Sequence, residues 1–323
     1  MPQFDLPLDQ LRSYRNPRPA PEGHAEYWQR TLEQSRAAGN PVRYQPAGSG
    51  LAVVDAYDVT FSGFGGDDVR AWWLVPRGLG DRIPVVVEFL GYGGGRGLVH
   101  ERLTWAAHGF GQLVVDSRGQ GGIWNTGDTP DPHGSGPATP GLLTRGVDHP
   151  DQLYFRRLLT DAALAVDAAA DLPGADPHRI ATVGHSQGGA MALAAAALNP
   201  AVAATGARAP FLCGIARALE ITDAVPYGEL SAFLALYRDR AEDVLRVLDH
   251  VDLTSLTPRI TCPTWISVGL TDVTCPPSGI FGAINALGRT DPEVRVWPYN
   301  GHEAGGPHDE AHLAGWLHQQ LPG

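Results

Sequence analysis

The pentapeptide Gly184-His185-Ser186-Gln187-Gly188 sets a hydroxyl among small residues, between an apolar run at 180–183 and an alanine-rich helical stretch at 190–198. A serine at such a strand-to-helix turn is strained and projected above a sheet, while the flanking glycines let strand and helix approach closely. The chemistry this suits is nucleophilic attack on a carbonyl. A serine hydroxyl is a weak nucleophile at neutral pH, so it needs a histidine base that is itself oriented by a carboxylate. In this arrangement the partners follow in the order Ser, Asp, His. Downstream of Ser186, Asp272 lies directly beyond a convincing strand, in Ile266-Ser267-Val268-Gly269-Leu270-Thr271-Asp272. His302 follows Arg295-Val296-Trp297-Pro298-Tyr299 within a few residues. Both therefore fall on loops at the carboxyl ends of strands, where an open α/β sheet holds its ligands.

The competing acids and histidines are placed less well. Asp239, Asp243, Asp249 and Asp252 fall on a helical segment, where a solvated face is the ordinary reading, and Asp291 precedes a strand. His308, His312 and His318 fall in or beside the last helix and read as surface residues. His185 should point away from its neighbour across the sharp turn, which leaves packing or a supporting hydrogen bond as its role. Glu303 reads either as a brace for the His302 loop or as a plain surface acid.

Negative charge developing on the attacked oxygen needs fixed donors. The Gln187 amide stands at a helix N-terminus, where N–H groups lack intrahelical partners, and supplies one. The loop Gly91-Tyr92-Gly93-Gly94-Gly95-Arg96-Gly97 follows the apolar run 85–90, and the Tyr92 N–H is the second candidate. Its glycines would let backbone approach a ligand. A dinucleotide loop is the rival, but Arg96 occupies the third glycine position of G-x-G-x-x-G. His302-Glu303-Ala304-Gly305-Gly306 lacks the second histidine of H-E-x-x-H, and His133 and His149 have no paired spacing. No cofactor and no metal are expected.

The elements that must position these groups follow from periodicity. Apolar runs at 85–90, 112–115, 180–183, 265–268 and 294–297 alternate with helical stretches at 98–107, 153–170, 190–198, 278–287 and 309–320. That alternation predicts a mostly parallel, doubly wound sheet buried on both faces. Ahead of it, Tyr57-Asp58-Val59-Thr60-Phe61 and Val69-Arg70-Ala71-Trp72-Trp73-Leu74-Val75 predict a hairpin around a Gly-rich turn. Residues 1–50 read as a polar arm with one helix at 25–38. The Gly- and Pro-rich segment 121–151 reads as a long functional surface loop. The segment 216–256 is an amphipathic helical insertion over the site, with Leu234, Leu236, Val244, Leu245 and Leu248 as its apolar marks. We expect one domain over 1–323.

Composition narrows the partners. The 323 residues carry 24 basic and 35 acidic side chains, a formal charge of −11, which repels phosphate backbones and anionic lipid surfaces. Nucleic-acid and membrane-surface roles are excluded on that ground. The apolar stretch 190–207 is broken by Asn199-Pro200 and suits a buried helix better than a membrane span. The start, Met1-Pro2-Gln3-Phe4-Asp5-Leu6, has no basic or apolar signal region, so a cytoplasmic location is expected. Three cysteines, Cys213, Cys262 and Cys275, suggest reduced structural thiols.

Taken together, Arg118-Gly119-Gln120, Gly184-His185-Ser186-Gln187-Gly188 and His302-Glu303 resemble the three motifs of the acetyl xylan esterase and cephalosporin C deacetylase family, in the family's order. The likeness extends through Phe4-Asp5-Leu6-Pro7-Leu8, Ala56-Tyr57-Asp58-Val59-Thr60-Phe61-Ser62-Gly63, Gly91-Tyr92, Gly127-Asp128-Thr129-Pro130 and Pro210-Phe211-Leu212-Cys213, essentially the whole chain. The resemblance implies an α/β-hydrolase fold and a serine esterase that removes acetyl groups from short xylo-oligosaccharides and cephalosporins. It also implies a ring-like homohexamer and small acetylated carbohydrate substrates. By the same resemblance Tyr92 and Gln187 are the oxyanion donors, and Arg118 and Gln120 brace the loops. The family often has Gly where His185 stands, and a longer Gly run where Ala304 interrupts this one. Two rivals stay open: a general carboxylesterase on the same sheet, and a non-catalytic binding module, which commonly loses part of such a triad.

Overall fold

The computed structural model describes residues 3–134, 141–288 and 291–322. The stretch 135–140 of the expected 121–151 loop, residues 289–290, and the ends of the expected 1–323 domain lie outside them. Nine strands form one sheet: β1 (Arg43–Pro46), β2 (Val54–Ser62), β3 (Asp68–Pro76), β4 (Ile83–Phe89), β5 (Gly111–Val115), β6 (Ala175–His185), β7 (Val202–Arg208), β8 (Thr264–Gly269) and β9 (Glu293–Trp297). Their order is β1-β2-β3-β5-β4-β6-β7-β8-β9. The first three strands pair antiparallel with one another and with β5, and every pair from β5 to β9 is parallel. This is the mostly parallel sheet that the alternation of apolar runs and helices predicted, and it fits the α/β-hydrolase fold that the resemblance implied.

The order turns over at β4. From β4 the chain steps to one side to make β5, then returns to the other side to make β6. Helices after β4 and β6 are thereby sent to opposite faces, and a crevice opens between the carboxyl ends of these two strands. The loop carrying Tyr92 leaves β4 there, and Ser186 leaves β6 there.

Strand β7 was not among the predicted runs. Its Val-Ala-Ala-Thr-Gly-Ala-Arg sequence has one β-branched aliphatic residue and lies in the mostly alanine stretch 190–207, whose predicted helix does end at Leu198. The close approach of a flanking helix explains its small residues: a Cβ on Gly206 would lie 2.6 Å from a Leu313 methyl. The predicted helix 98–107 is instead a 3-10 turn, Val99–Glu101, and a short helix, Thr104–Ala107. Arg102 is left between them.

The arm and the insertion share the core of the sheet. Trp28 and Leu32 from the helix His24–Ala38 join the same buried cluster as Val85, Val87 and Phe155. Tyr227, Leu230, Phe233, Val244 and Leu248 of the 216–256 segment join it too. Leu236, expected to be an apolar anchor, is 75% exposed. Asp252 reverses its expectation: it is buried and caps a helix, accepting from the backbone of Gly214, Ile215 and Thr254. Asp249 is also buried and pairs with Arg18 of the arm. The 121–151 segment is not wholly a surface loop, because Leu142, Leu143 and Thr144 are buried. Among the described residues, no helix is long and apolar enough to cross a membrane.

Candidate active site

Ser186 sits between β6 and the helix Gln187–Leu198 with φ 58° and ψ −121°, a backbone conformation that L-residues rarely adopt. Glycines make the turn possible. A Cβ on Gly184 would lie 2.2 Å from the Gly188 backbone, and one on Gly188 would lie 2.2 Å from the Phe89 carbonyl oxygen. The serine is thus pressed between β6, β4 and its own helix, and it lines a cavity of about 430 Å³ together with His302.

The His302 ring faces Asp272. Nδ1 lies 2.9 Å from Asp272 Oδ2. Asp272 is fully buried, and its other oxygen accepts from the Thr274 and Cys275 amides at 2.8 and 2.9 Å. The loop that carries His302 is pinned by Glu303, whose Oε1 accepts from Asn300 Nδ2 and Gly301 N, so the brace reading of that residue holds. It is pinned again by the buried Asp309, which accepts from Ser267, Trp297 and Gly305. Asp309 looked like any first-turn helix acid in the sequence.

His185 does support His302. Its Nε2 lies 2.7 Å from the His302 carbonyl oxygen, and the two rings are 4.7 Å apart. A carbonyl can only accept, so Nε2 carries the proton. Burial first, and then the neighbouring His302, lower its pKa to about 4. His24 is likewise lowered to about 4, chiefly by burial. Both rings are neutral in the native state at pH values where they take up protons once unfolded. Between about pH 6.5 and 4 these two rings bind up to about two more protons in the unfolded chain, so their contribution to stability is full above this window and falls as the pH drops through it. Urea midpoints at pH 7, 6 and 5 should decrease in that order; a flat series would contradict the assignment.

The Tyr92 backbone is held from several sides. The Gly93 N–H donates to Gln120 Oε1 at 2.7 Å, and the Tyr92 carbonyl accepts from Trp124 Nε1 at 2.8 Å. The phenol donates to Glu229 Oε2 of the helical insertion at 2.7 Å and accepts from Leu142 N at 3.0 Å. Gln120 Nε2 in turn donates to Tyr154 Oη and to Gln187 Oε1. One carboxamide thereby ties together the loops that carry Tyr92 and Gln187. Gly94 and Gly95 of the 91–97 loop serve close packing, while Gly91 lines the cavity. A Cβ on Gly94 would enter the Trp124 ring, and one on Gly95 would strike the Gly127 backbone. Arg96 is buried, bonded to Asp58, Asp128 and the Ala71 carbonyl.

Arg118 lies below the site, fully buried. It makes a two-point contact with Asp161 at 2.5 and 2.7 Å and reaches Asp67 at 2.9 Å. These carboxylates outweigh burial and hold the guanidinium firmly charged. The Arg118 carbonyl accepts from Tyr154 Oη, which connects the arginine to Gln120. Asp116, another residue without a sequence signal, gathers the N–H groups of Arg96, Ser117, Asp128 and Thr129.

Asp272, Cys275 and His302 present possible metal-ligand atoms within 4.8 Å of one another. Two of these groups already share a hydrogen bond, and burial pushes the Cys275 thiol well up, against the thiolate a metal requires. Ser186 and His302 line one cavity, and Asp272 stands behind His302 Nδ1.

The sequence model of a family described as Acetyl xylan esterase (AXE1) matches residues 1–320. Acetyl esterase Axe7A of Xylanibacter ruminicola is 31% identical over 163 residues, which is 50% of this chain but 36% of that protein. The chain therefore spans about a third of that relative's length. Acetyl xylan esterase 1 from Thermoanaerobacterium sp. JW/SL YS485 superposes with a TM-score of 0.90 at 30% identity, covering 99% of this chain and 100% of its own. The acetyl xylan esterase from Paenibacillus sp. R4 gives 0.90 at 32% identity, covering 97% and 99%. The α/β hydrolase GrgF from Penicillium sp. sh18, at 18% identity, TM-score 0.56 and coverage of 82% and 99%, shares the fold.

Proposed function

We propose, given that this chain belongs to the acetyl xylan esterase family, that it is a serine esterase removing O-acetyl groups from short acetylated xylo-oligosaccharides and related small acetate esters, cephalosporin C among them. The observation that carries this reading is the Asp272–His302 hydrogen bond beside the cavity that Ser186 and His302 both line. Ser186 Oγ attacks the acetyl carbonyl while His302 Nε2 accepts its proton. Asp272 keeps the other ring proton on Nδ1 and stabilises the imidazolium. The Tyr92 and Gln187 amides receive the oxyanion, and their positions are set by Gln120 before any substrate arrives. His302 then protonates the departing sugar alcohol. Water enters by the reverse sequence and releases acetate from the acetyl-enzyme.

Acetate release should be measured from acetylated xylobiose, cephalosporin C and p-nitrophenyl acetate, alongside the p-nitrophenyl octanoate reaction. We expect hydrolysis of all three acetates and kcat/KM for the octanoate lower by about tenfold or more, as a pocket shaped for a small acyl group requires. Equal rates on the two p-nitrophenyl esters would overturn the acetyl-specific reading.

A further inference from the structure

One wall of the cavity carries charged groups that the acyl chemistry does not use. Glu88, near the end of β4, is almost wholly buried. Its Oε2 accepts from Gln112 Nε2 at 2.6 Å, and its Oε1 lies 3.6 Å from an Arg102 nitrogen. Arg208, at the end of β7, pairs with Glu310 at 2.9 Å. Arg102 also stands over the Trp124 ring, 5.4 Å from its centroid. Glu88, Arg102, Trp124 and Arg208 line the same cavity as Ser186 and His302.

Burying a carboxylate here is unfavourable, and burial raises the Glu88 pKa despite Arg102 and Gln112. An apolar residue at this position would serve the fold at least as well. A buried acid that opens on a catalytic cavity and keeps acceptor capacity on Oε1 is instead suited to a ligand. Each arginine on this wall is matched by a carboxylate, Arg102 by Glu88 and Arg208 by Glu310, so the wall is polar without a positive excess. It fits a neutral polyol better than an anion. A carboxylate accepts from a sugar hydroxyl, the adjacent guanidinium donates to the next one, and an indole face covers an apolar ring face.

We propose that Glu88, Arg102 and Trp124 form the subsite for the sugar ring on the leaving-alcohol side of the scissile ester, with Glu88 Oε1 and the Arg102 guanidinium holding a pair of neighbouring ring hydroxyls. This subsite rests on the acetyl-ester reading above and names which residues select the alcohol.

The test uses Glu88→Gln and Arg102→Leu, since Trp124 also supports Tyr92 and would confound the result. For each protein, kcat/KM is measured on acetylated xylobiose and on p-nitrophenyl acetate from one preparation, and the ratio of the two is compared. A second arm measures inhibition of p-nitrophenyl acetate hydrolysis by xylobiose and by glucuronate. The ratio should fall about tenfold or more in each variant, as expected for loss of a hydrogen bond to a charged group, and the xylobiose inhibition constant should rise to match. A ratio within twofold of wild type in both variants overturns the subsite, as does tighter inhibition by glucuronate than by xylobiose. Because the ratio cancels the amount of folded enzyme, a partly unfolded variant still separates these outcomes. If the wild-type protein cleaves p-nitrophenyl acetate but not acetylated xylobiose, it is the substrate reading that fails, a result distinct from failure of the subsite.

Discussion

Ser186→Ala should lower kcat on p-nitrophenyl acetate by about 10⁴ to 10⁶-fold, the range seen when a triad nucleophile is removed from a serine hydrolase. The expectation is sharp because the substitution deletes one oxygen and leaves the turn alone. Alanine faces the same positive φ as serine, and the flanking glycines, which make the close contacts with β4 and the helix, are untouched. The thermal midpoint should therefore stay close to that of the wild type, so lost turnover reports chemistry rather than folding. A variant that keeps more than about 1% of wild-type turnover would remove Ser186 from the mechanism.

Asp272→Asn is expected to lower kcat about 10⁴-fold, through the proton position on a ring it does not move. The asparagine carbonyl can still accept from the Thr274 and Cys275 amides, which confines its NH₂ to the side facing His302 Nδ1. An amide there donates, so Nδ1 must accept and the ring proton moves to Nε2. That tautomer cannot take the proton of Ser186. The predicted signature is a fall in kcat far larger than any change in KM, measured on p-nitrophenyl acetate over a range of concentrations. Retention of a tenth of the wild-type kcat would show that Asp272 does not orient the base.

Much of this site was legible before the fold was known, for identifiable reasons. A strained turn between strand and helix demands small residues at fixed offsets, so Gly184, Gly188 and Gly189 announce Ser186 locally. The placing of Asp272 and His302 on neighbouring loops was legible because parallel strands set their following loops at one end of the sheet, and strand ends can be read from apolar runs. The family resemblance rested on the same local motifs, and the match over residues 1–320 agrees with it. Strand β7 escaped because a strand packed closely by a helix keeps small residues, and alanine carries no strand signal. Asp252 was misread because a cap and a solvated helix acid look alike until the partners are placed.

The sequence by itself determined most of the alternation of strands and helices, the tight turn at Ser186, and the strand ends beyond which Asp272 and His302 lie, since each depends on neighbours within a few residues. Tertiary structure alone decided which distant groups meet. It brought Gln120 between Gly93 and Gln187, laid Glu229 of the insertion on the Tyr92 phenol, and turned the His185 ring onto the His302 carbonyl. It also set Glu88 of β4 beside Arg102 in the wall of the cavity. The physical reason is that these pairings follow from the reversal of strand order at β4 and from where long connections return. Side-chain hydrogen bonds between residues far apart in the chain leave no local pattern of hydrophobicity or turn chemistry to mark them.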